Sequence, residues 1–308
     1  MKHFISLADL TPVEFNNLLD LAGQLKQEFK SGQQKKPLAG KTLAMIFSKS
    51  STRTRVSFET GMYQLGGHAL FLSHHDIQLG RGESLHDTAK VLSRFVDGIM
   101  IRTFSHQDVI DLAEHGTIPV INGLTDLMHP CQALADLQTV REHRGELKGR
   151  KLAYLGDGNN VAHSLLHACA LAGMNIAVAS PAGYSCDPVC VAEAQAIAAQ
   201  TGAEIIMTTD AAAAAKDADA IYTDTWVSMG QEGDKQQRLV DFDGYQVNDA
   251  IMALAAPGAV FLHCLPAYRG YEVTESVIDG PQSAVFDEAE NRLHAQKAIL
   301  VTLLAEQA

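Results

Sequence analysis

The sequence predicts an α/β protein of two domains, each built on a parallel sheet with crossover helices. Three observations carry that prediction. At ~150 residues per domain, 308 residues predict about two domains, and each is large enough to bury a core of its own. Short apolar runs alternate with stretches of helical spacing in both halves of the chain. A polar stretch, Arg144-Gly145-Glu146-Leu147-Lys148-Gly149-Arg150, breaks the alternation near the middle.

The elements follow in order. Thr11-Pro12-Val13-Glu14 combines an N-cap, a proline at the first helical position and a capping-box glutamate, and Phe15, Leu18, Leu19, Ala22, Leu25 and Phe29 continue at helical spacing. Strands are expected at Thr42 to Phe47, Ala69 to Leu72, Ile99 to Ile101 and Pro119 to Ile121. Helices are expected between them at Thr52 to Leu65, Leu85 to Phe95 and Gln107 to His115. A longer helix runs from Pro130 to about Arg144, and the domain junction is placed after it, dividing residues 1–146 from 147–287. The second half repeats the alternation, with strands near Lys151 to Leu155, Asn175 to Ala179, Glu204 to Met207, Ala220 to Thr223 and Ala259 to His263. A helix from Glu288 to Glu306 closes the chain. Gln33-Gln34-Lys35-Lys36 reads as a solvated loop and Ala211 to Ala215 as a helical turn of high propensity. No repeat of 20 to 50 residues is present.

Composition excludes several classes of function. With 46% apolar and 19% charged residues the chain is neither disordered nor collagen-like. The formal charge of −12 disfavours nucleic acid and anionic membrane as partners, while leaving room for a local basic pocket that binds a small anion. Five scattered cysteines, Cys131, Cys169, Cys186, Cys190 and Cys264, fit a reducing compartment better than a disulfide framework. Cys186 and Cys190 have no second Cys or His pair at zinc spacing, so no structural metal is expected. The start of the chain lacks a signal pattern and no apolar run approaches the ~20 residues that span a bilayer, so the expected location is the cytoplasm.

Chemistry is concentrated at the ends of the expected strands. Ser50-Ser51-Thr52-Arg53-Thr54-Arg55 opens a helix, where backbone N–H groups, hydroxyls and guanidinium favour a phosphate; the bland alternative, a cap with two surface arginines, weighs equally when the cluster is taken alone. His129-Pro130-Cys131-Gln132 opens another helix at the same sheet edge. Arg102 ends the strand between them, so His129, Gln132 and Arg102 can share one ligand with the first cluster, unless they are a structural histidine and a strand-end cation. Gly156-Asp157-Gly158-Asn159-Asn160-Val161 invites a dinucleotide reading, but Val161 replaces the third glycine and the next strand ends in Ser180 rather than an acid. Asn160 of that turn is retained as a contact for a small substrate. Asp224-Thr225-Trp226-Val227-Ser228-Met229-Gly230 carries the only tryptophan, and Gly230 and Gly233 suit either a lid or an irregular surface loop. His263-Cys264-Leu265-Pro266-Ala267 ends the following strand, and Cys264 taken alone reads as a buried thiol.

Taken together, Ser51-Thr52-Arg53-Thr54-Arg55, His129-Pro130-Cys131-Gln132, Asp224 to Gly230, His263-Cys264-Leu265-Pro266 and Glu290-Asn291-Arg292-Leu293-His294 resemble the ordered signatures of the carbamoyltransferases. The resemblance runs through nearly the whole chain. Ser228-Met229-Gly230 and Cys264-Leu265 resemble the ornithine branch of that family rather than the aspartate branch. Tyr268, where many relatives have His, and Gly82, where some have Lys, depart from the pattern in ways that touch fine kinetics only.

The resemblance implies two parallel-sheet α/β domains with a cleft between them. It makes residues 1–146 the carbamoyl phosphate-binding domain, with the C-terminal helix 288–308 packing back toward it, and residues 147–287 the ornithine-binding domain. It implies transfer of a carbamoyl group from carbamoyl phosphate to the δ-amine of L-ornithine, giving L-citrulline in arginine biosynthesis; the alternative is a sibling enzyme with another amine acceptor. Ser51, Thr52, Arg53, Thr54, Gln78 and Arg292 are then expected at the phosphate, and Arg102, His129, Gln132, Cys264 and Leu265 at the carbamoyl group. Asn160, Asp224, Ser228 and Met229 are expected at ornithine, with Arg102, His129, Cys264 and Asp224 taking part in the chemistry. No metal or organic cofactor is expected, because the donor is already activated. A homotrimer with shared active sites is implied, the segment Gln78-Leu79-Gly80-Arg81-Gly82 reaching the neighbour's phosphate cradle.

Overall fold

The computed structural model describes residues 1–227 and 232–305. The chain folds as two compact units, residues 1–135 with the chain from Glu290 on, and residues 136–289.

The first unit opens with α1 (Pro12–Lys30), whose capping box forms as its sequence dictates: Thr11 accepts from the Glu14 N–H, and Glu14 accepts from the Thr11 N–H at 2.9 Å. Its sheet has the order β2-β1-β3-β4 and is wholly parallel, with β1 at Thr42–Phe47, β2 at His68–Ser73, β3 at Gly98–Arg102 and β4 at Val120–Leu124. The interior strands β1 and β3 are almost continuously buried, as strands covered on both faces must be. β4 runs three residues past the expected Ile121, through Asn122 and Gly123, rather than ending there. Asn122 is claimed by the N-terminal segment: its N–H donates to Phe4 O at 2.8 Å and its side-chain amide to Ile5 O at 3.0 Å. A side chain at Gly123 would meet Met100 Sδ at 2.6 Å, so the glycine serves close packing between strands. The crossover helices are α2 (Thr52–Gln64), α3 (Leu85–Leu92) and α4 (His106–His115), and α5 (Pro130–Arg144) follows β4.

In the second unit the sheet is again wholly parallel, in the order β7-β6-β5-β8-β9. The strands are β5 (Lys151–Leu155), β6 (Asn175–Ala179), β7 (Ile205–Thr208), β8 (Ala220–Tyr222) and β9 (Val260–Leu262). The polar stretch after α5 is bound into this unit, because Asp219 accepts from Arg144 at 2.9 Å, Arg150 at 2.8 Å and the Lys151 N–H at 3.0 Å. Asn159 caps α6 (Asn160–Ala172), which is buried along nearly its whole length, and α7 (Pro188–Thr201) packs beside it. The shorter helices are α8 (Ala211–Ala215), α9 (Lys235–Asp241), α10 (Asp249–Met252) and α11 (Glu275–Ile278). The last helix, α12 (Val285–Leu304), starts three residues before the expected Glu288, since Ala284 N–H still bonds Phe261 O at 2.9 Å and hands the chain directly from the sheet to the helix.

Strand order reverses between β1 and β3 in the first sheet and between β5 and β8 in the second. Open parallel sheets bind ligands outside the carboxyl ends of such strands. The chemistry-bearing turns lie there in both units: the residues after β1, β3 and β4 in one, and those after β5, β8 and β9 in the other. Among the described residues no helix is long and apolar enough to cross a membrane, and the five cysteines are free.

Candidate active site

In the first unit the functional group is assembled at the N-terminus of α2. Ser51 is its N-cap, accepting from the Thr54 N–H at 3.2 Å, which leaves the amides at Thr52 and Arg53 for an anion. Thr54 is fully buried and its hydroxyl is the hub. It accepts from Arg292 Nη2 at 2.9 Å, from Arg102 Nη1 at 3.4 Å and from the Ser51 hydroxyl at 3.2 Å. Arg292 spends its other terminal nitrogen on Gln132 Oε1, at 2.7 Å. Arg102 arrives as the last residue of β3, Gln132 on the first turn of α5, and Arg292 from α12.

His129, just before α5, is buried among the same cations. Burial, followed by Arg292, Arg102 and Arg53, holds its pKa well below the usual value, so the imidazole is neutral at pH 7. Three guanidiniums around a neutral, buried imidazole form an anion-binding environment with hydrogen-bonding capacity at its centre. Cys131 of the same motif is a packing thiol: it is buried, donates to Asn122 O at 3.4 Å, and desolvation lifts its pKa to about 12.

Two expected members of this group stand differently. Thr52 is exposed at the first turn of α2. Gln78 is exposed at the start of a 3-10 turn, Gln78–Arg81, closed by Gly82 in the left-handed region at φ 94°. Its carbonyl accepts from the Glu83 N–H at 3.1 Å, and its side chain is not part of the hub.

In the second unit the residues after β5, β8 and β9 converge on Asp224. The carboxylate takes three donors: Asn159 Nδ2 at 2.8 Å, the Thr225 N–H at 2.8 Å and Cys264 Sγ at 3.1 Å. Desolvation, then the acidic side chains of Asp224 and Glu288, push the Cys264 thiol well above its ordinary pKa, so it keeps its proton and donates it to Asp224. The turn carrying the thiol is tightly specified. Leu265 has φ 57° and is followed by a cis bond to Pro266. Its N–H donates to His263 Nδ1 at 2.9 Å, leaving Nε2–H of that ring to donate to Glu272 Oε1 at 3.3 Å.

Asp224, His263 and Cys264 each bring one potential ligand atom within 4.8 Å of the others. Because both imidazole nitrogens already have partners and the thiol is spent on the carboxylate, the trio is a hydrogen-bonded network rather than a cation cage.

The glycine turn after β5 has no use for a pyrophosphate. A side chain at Gly158 would fall 2.2 Å from Cys186 N and 2.4 Å from the Ser185 carbonyl carbon, so the glycine admits the chain's own 184–186 backbone. Asn160 is half-buried on the first turn of α6. Its neighbour Asn159 is the residue that touches Asp224, with its Oδ1 also accepting from Val161 N–H at 2.9 Å and Ala162 N–H at 3.2 Å. Sequence reading missed it, although a strand-turn-Asn-helix pattern marks an N-cap. Arg238 was also missed; it donates to Asp157 Oδ2 at 2.7 Å and to Trp226 O at 2.8 Å, tying the glycine turn to the segment after β8. Ser228 and Met229, the remaining expected ornithine contacts, lie outside the described residues.

Comparisons with known proteins cover the whole chain. Residues 2–142 match the family model for the aspartate/ornithine carbamoyltransferase carbamoyl-P binding domain, and residues 148–303 match that for the Asp/Orn binding domain. The chain is 58% identical over 305 residues to an ornithine carbamoyltransferase of Oceanobacillus iheyensis, covering 99% of this chain and 95% of that one. It is 59% identical over 304 residues to that of Symbiobacterium thermophilum, covering 99% and 98%. Among solved structures it resembles the ornithine carbamoyltransferase from Pyrococcus furiosus with a TM-score of 0.97 and 51% identity, covering 100% of this chain and 98% of the other.

Proposed function

Because the chain belongs to the aspartate/ornithine carbamoyltransferase family and transfers the carbamoyl group of carbamoyl phosphate to L-ornithine, we propose a role in that reaction for each residue of the two groups. The first unit holds the donor. Ser51, Thr52, Arg53 and Thr54 take the phosphate with the amides of the helix terminus, and Arg292 shares its charge. Arg102, His129 and Gln132 take the carbamoyl group.

Attack on the carbonyl carbon turns its oxygen into an oxyanion. Arg102, neutral His129 and the Thr54 hydroxyl are the preorganised donors for it. Thr54 Oγ1 accepts from Arg292, Arg102 and the Ser51 hydroxyl, and its own hydroxyl hydrogen remains for the substrate. As the carbon–oxygen bond to phosphate breaks, Arg53 and Arg292 neutralise the charge gathering on the leaving group, which takes up the proton shed by the new carbamoyl nitrogen.

The second unit holds the acceptor. A lysine-like amine with a pKa of ~10.4 is almost wholly charged at pH 7 and is not a nucleophile. Desolvation favours its neutral form, and Asp224 accepts from the δ-amine while Asn160, Ser228 and Met229 hold the α-amino and α-carboxylate groups. Cys264 orients Asp224 rather than acting as the base, a reading supported by its suppressed acidity and its 3.1 Å bond to the carboxylate. Of all these features the observation that carries the most weight is the Thr54 hub, where two arginines from distant segments meet one hydroxyl.

We also infer a homotrimer with shared sites. It is supported by β2, an edge strand whose Leu70 and Phe71 are 39% and 37% exposed, with Arg55 stacked 3.7 Å over the Phe71 ring. In that assembly Gln78 serves a neighbour's phosphate cradle, which fits its exposure here. Free cysteines support a cytoplasmic enzyme. Discharge of a reactive mixed anhydride favours citrulline formation, which fits arginine biosynthesis. A citrulline assay offering ornithine, putrescine, acetylornithine and aspartate tests the acceptor: ornithine is expected to be used far better than the rest, and preference for any other acceptor contradicts the assignment.

A further inference from the structure

We propose that Glu288 is a positioning residue for the reaction: one half of a buried Glu288–Asp136 carboxyl pair, it fixes the His263–Cys264 backbone from which the thiol reaches Asp224.

Glu288 on α12 is 1% exposed and Asp136 on α5 is 0% exposed. Both Glu288 oxygens already accept a hydrogen bond. Oε2 takes the His263 N–H at 2.8 Å, and Oε1 takes the Tyr222 hydroxyl at 3.2 Å. The same carboxyl is hydrogen-bonded to that of Asp136. Two carboxylates have four acceptor sites and no donor, so a bond between them requires a proton, and like charges at contact in a buried site force one to stay protonated.

The pair shares one proton, with opposing influences on Glu288: the His263 N–H and the Tyr222 hydroxyl favour its anion. Burial and the Asp136 charge hold the Glu288 carboxyl well above its ordinary range. Tyr222, at the end of β8, is itself pushed well up by burial, Asp136 and Glu288, so it remains a phenol that donates. Cys264 and Asp224 also face this cluster and supply no cation; the thiol is held protonated as described.

The consequence falls on the turn after β9. His263 is anchored at its N–H by Glu288 and at Nε2 by Glu272, and its Nδ1 holds the Leu265 N–H, so Cys264 lies between two fixed residues. Glu288 touches no substrate in this scheme. It acts through the placement of Cys264, and to that extent the inference rests on the reading of Cys264 given above.

Glu288→Gln and Glu288→Met separate a hydrogen-bonding side chain from mere packing. The Gln carbonyl can still accept from His263 and its amide can donate to Asp136, so Glu288→Gln is expected to keep the ornithine KM within about twofold. Glu288→Met has similar length but no acceptor, and is expected to raise the ornithine KM about tenfold while carbamoyl phosphate affinity, read by calorimetry, changes less than threefold. The infrared difference spectrum of wild type minus Glu288→Gln at pH 8, where ordinary carboxylates are ionised, should contain the carbonyl band of a protonated carboxyl. Absence of that band overturns the shared proton, whatever the kinetics, and needs no folded Met variant. An ornithine KM raised as far in Glu288→Gln as in Glu288→Met, or unchanged in both, overturns the positioning role. Cys264→Ala distinguishes this failure from that of the thiol reading, since an unchanged ornithine KM there discards the thiol's role and leaves the infrared result intact.

Discussion

Arg292 and Thr54 lie 238 residues apart in the chain, and the guanidinium donates to the hydroxyl at 2.9 Å. The same side chain also holds Gln132 Oε1 at 2.7 Å, so one planar fork spans the residues expected at the phosphate and at the carbamoyl group. A lysine ammonium cannot bridge two acceptors in that geometry. Arg292→Lys is therefore expected to lose about 1.5–3 kcal/mol of carbamoyl phosphate binding, roughly ten- to a hundredfold. Calorimetry checks it, and unchanged affinity would place Arg292 in a purely structural role.

Cys264 is expected to matter through its proton. Cys264→Ser preserves a donor to Asp224, whereas Cys264→Ala removes it. The alanine variant should raise the ornithine KM about tenfold, the value of one hydrogen bond to a charged group, with donor affinity little changed and serine restoring most of the loss. A packing thiol would instead lower the melting temperature and leave the kinetics alone.

Acid should weaken the fold through buried neutral histidines. His167 is fully buried with its Nε2 3.2 Å from Cys190 O, and desolvation lowers its pKa to about 4. The unfolded chain has a histidine pKa of ~6.5, so below that pH it binds the proton that the folded state refuses. Stability from this group is complete above pH ~6.5 and declines as the pH falls toward about 4, by about 3 kcal/mol in all. Denaturant midpoints measured across that range should fall less steeply for His167→Gln than for wild type. Parallel curves would show that other groups govern the acid limb.

Much of this was legible in the sequence. Parallel strands with crossover helices followed from periodicity, and the anion cluster at α2 followed from Ser, Thr and Arg at a helix start. What escaped reading depended on partners far along the chain. The extension of β4 through Asn122 depends on Phe4 and Ile5, whose carbonyls take its hydrogen bonds. Asn159 and Asn160 are equivalent in composition, and only the helix phase, which makes the first the cap, turns it toward Asp224. Glu288 reads as one more acidic residue in the first turn of a helix; its burial beside Asp136 is a property of the fold.

Shared sites predict complementation. If Arg53 and Gln78 of one working site come from different subunits, Arg53→Ala and Gln78→Glu are each expected to be inactive alone. Refolded together in equal amounts, they should regain roughly a quarter of the wild-type sites, because random cyclic assembly restores that share of intact boundaries. Verified mixed oligomers without activity would assign Gln78 to its own chain or to structure.

The phosphate cradle at α2 is the centre of the proposal, and titration of carbamoyl phosphate into Arg53→Ala tests it most directly. The guanidinium supplies charge-assisted bonds to a dianion at a helix N-terminus, worth about 3 kcal/mol or more together. The half-buried position of Arg53 leaves the fold intact on its removal. Calorimetry is expected to show affinity reduced at least a hundredfold in a protein whose melting temperature is unchanged. Affinity within threefold of wild type would contradict the assignment of Ser51, Thr52, Arg53 and Thr54 to the phosphate.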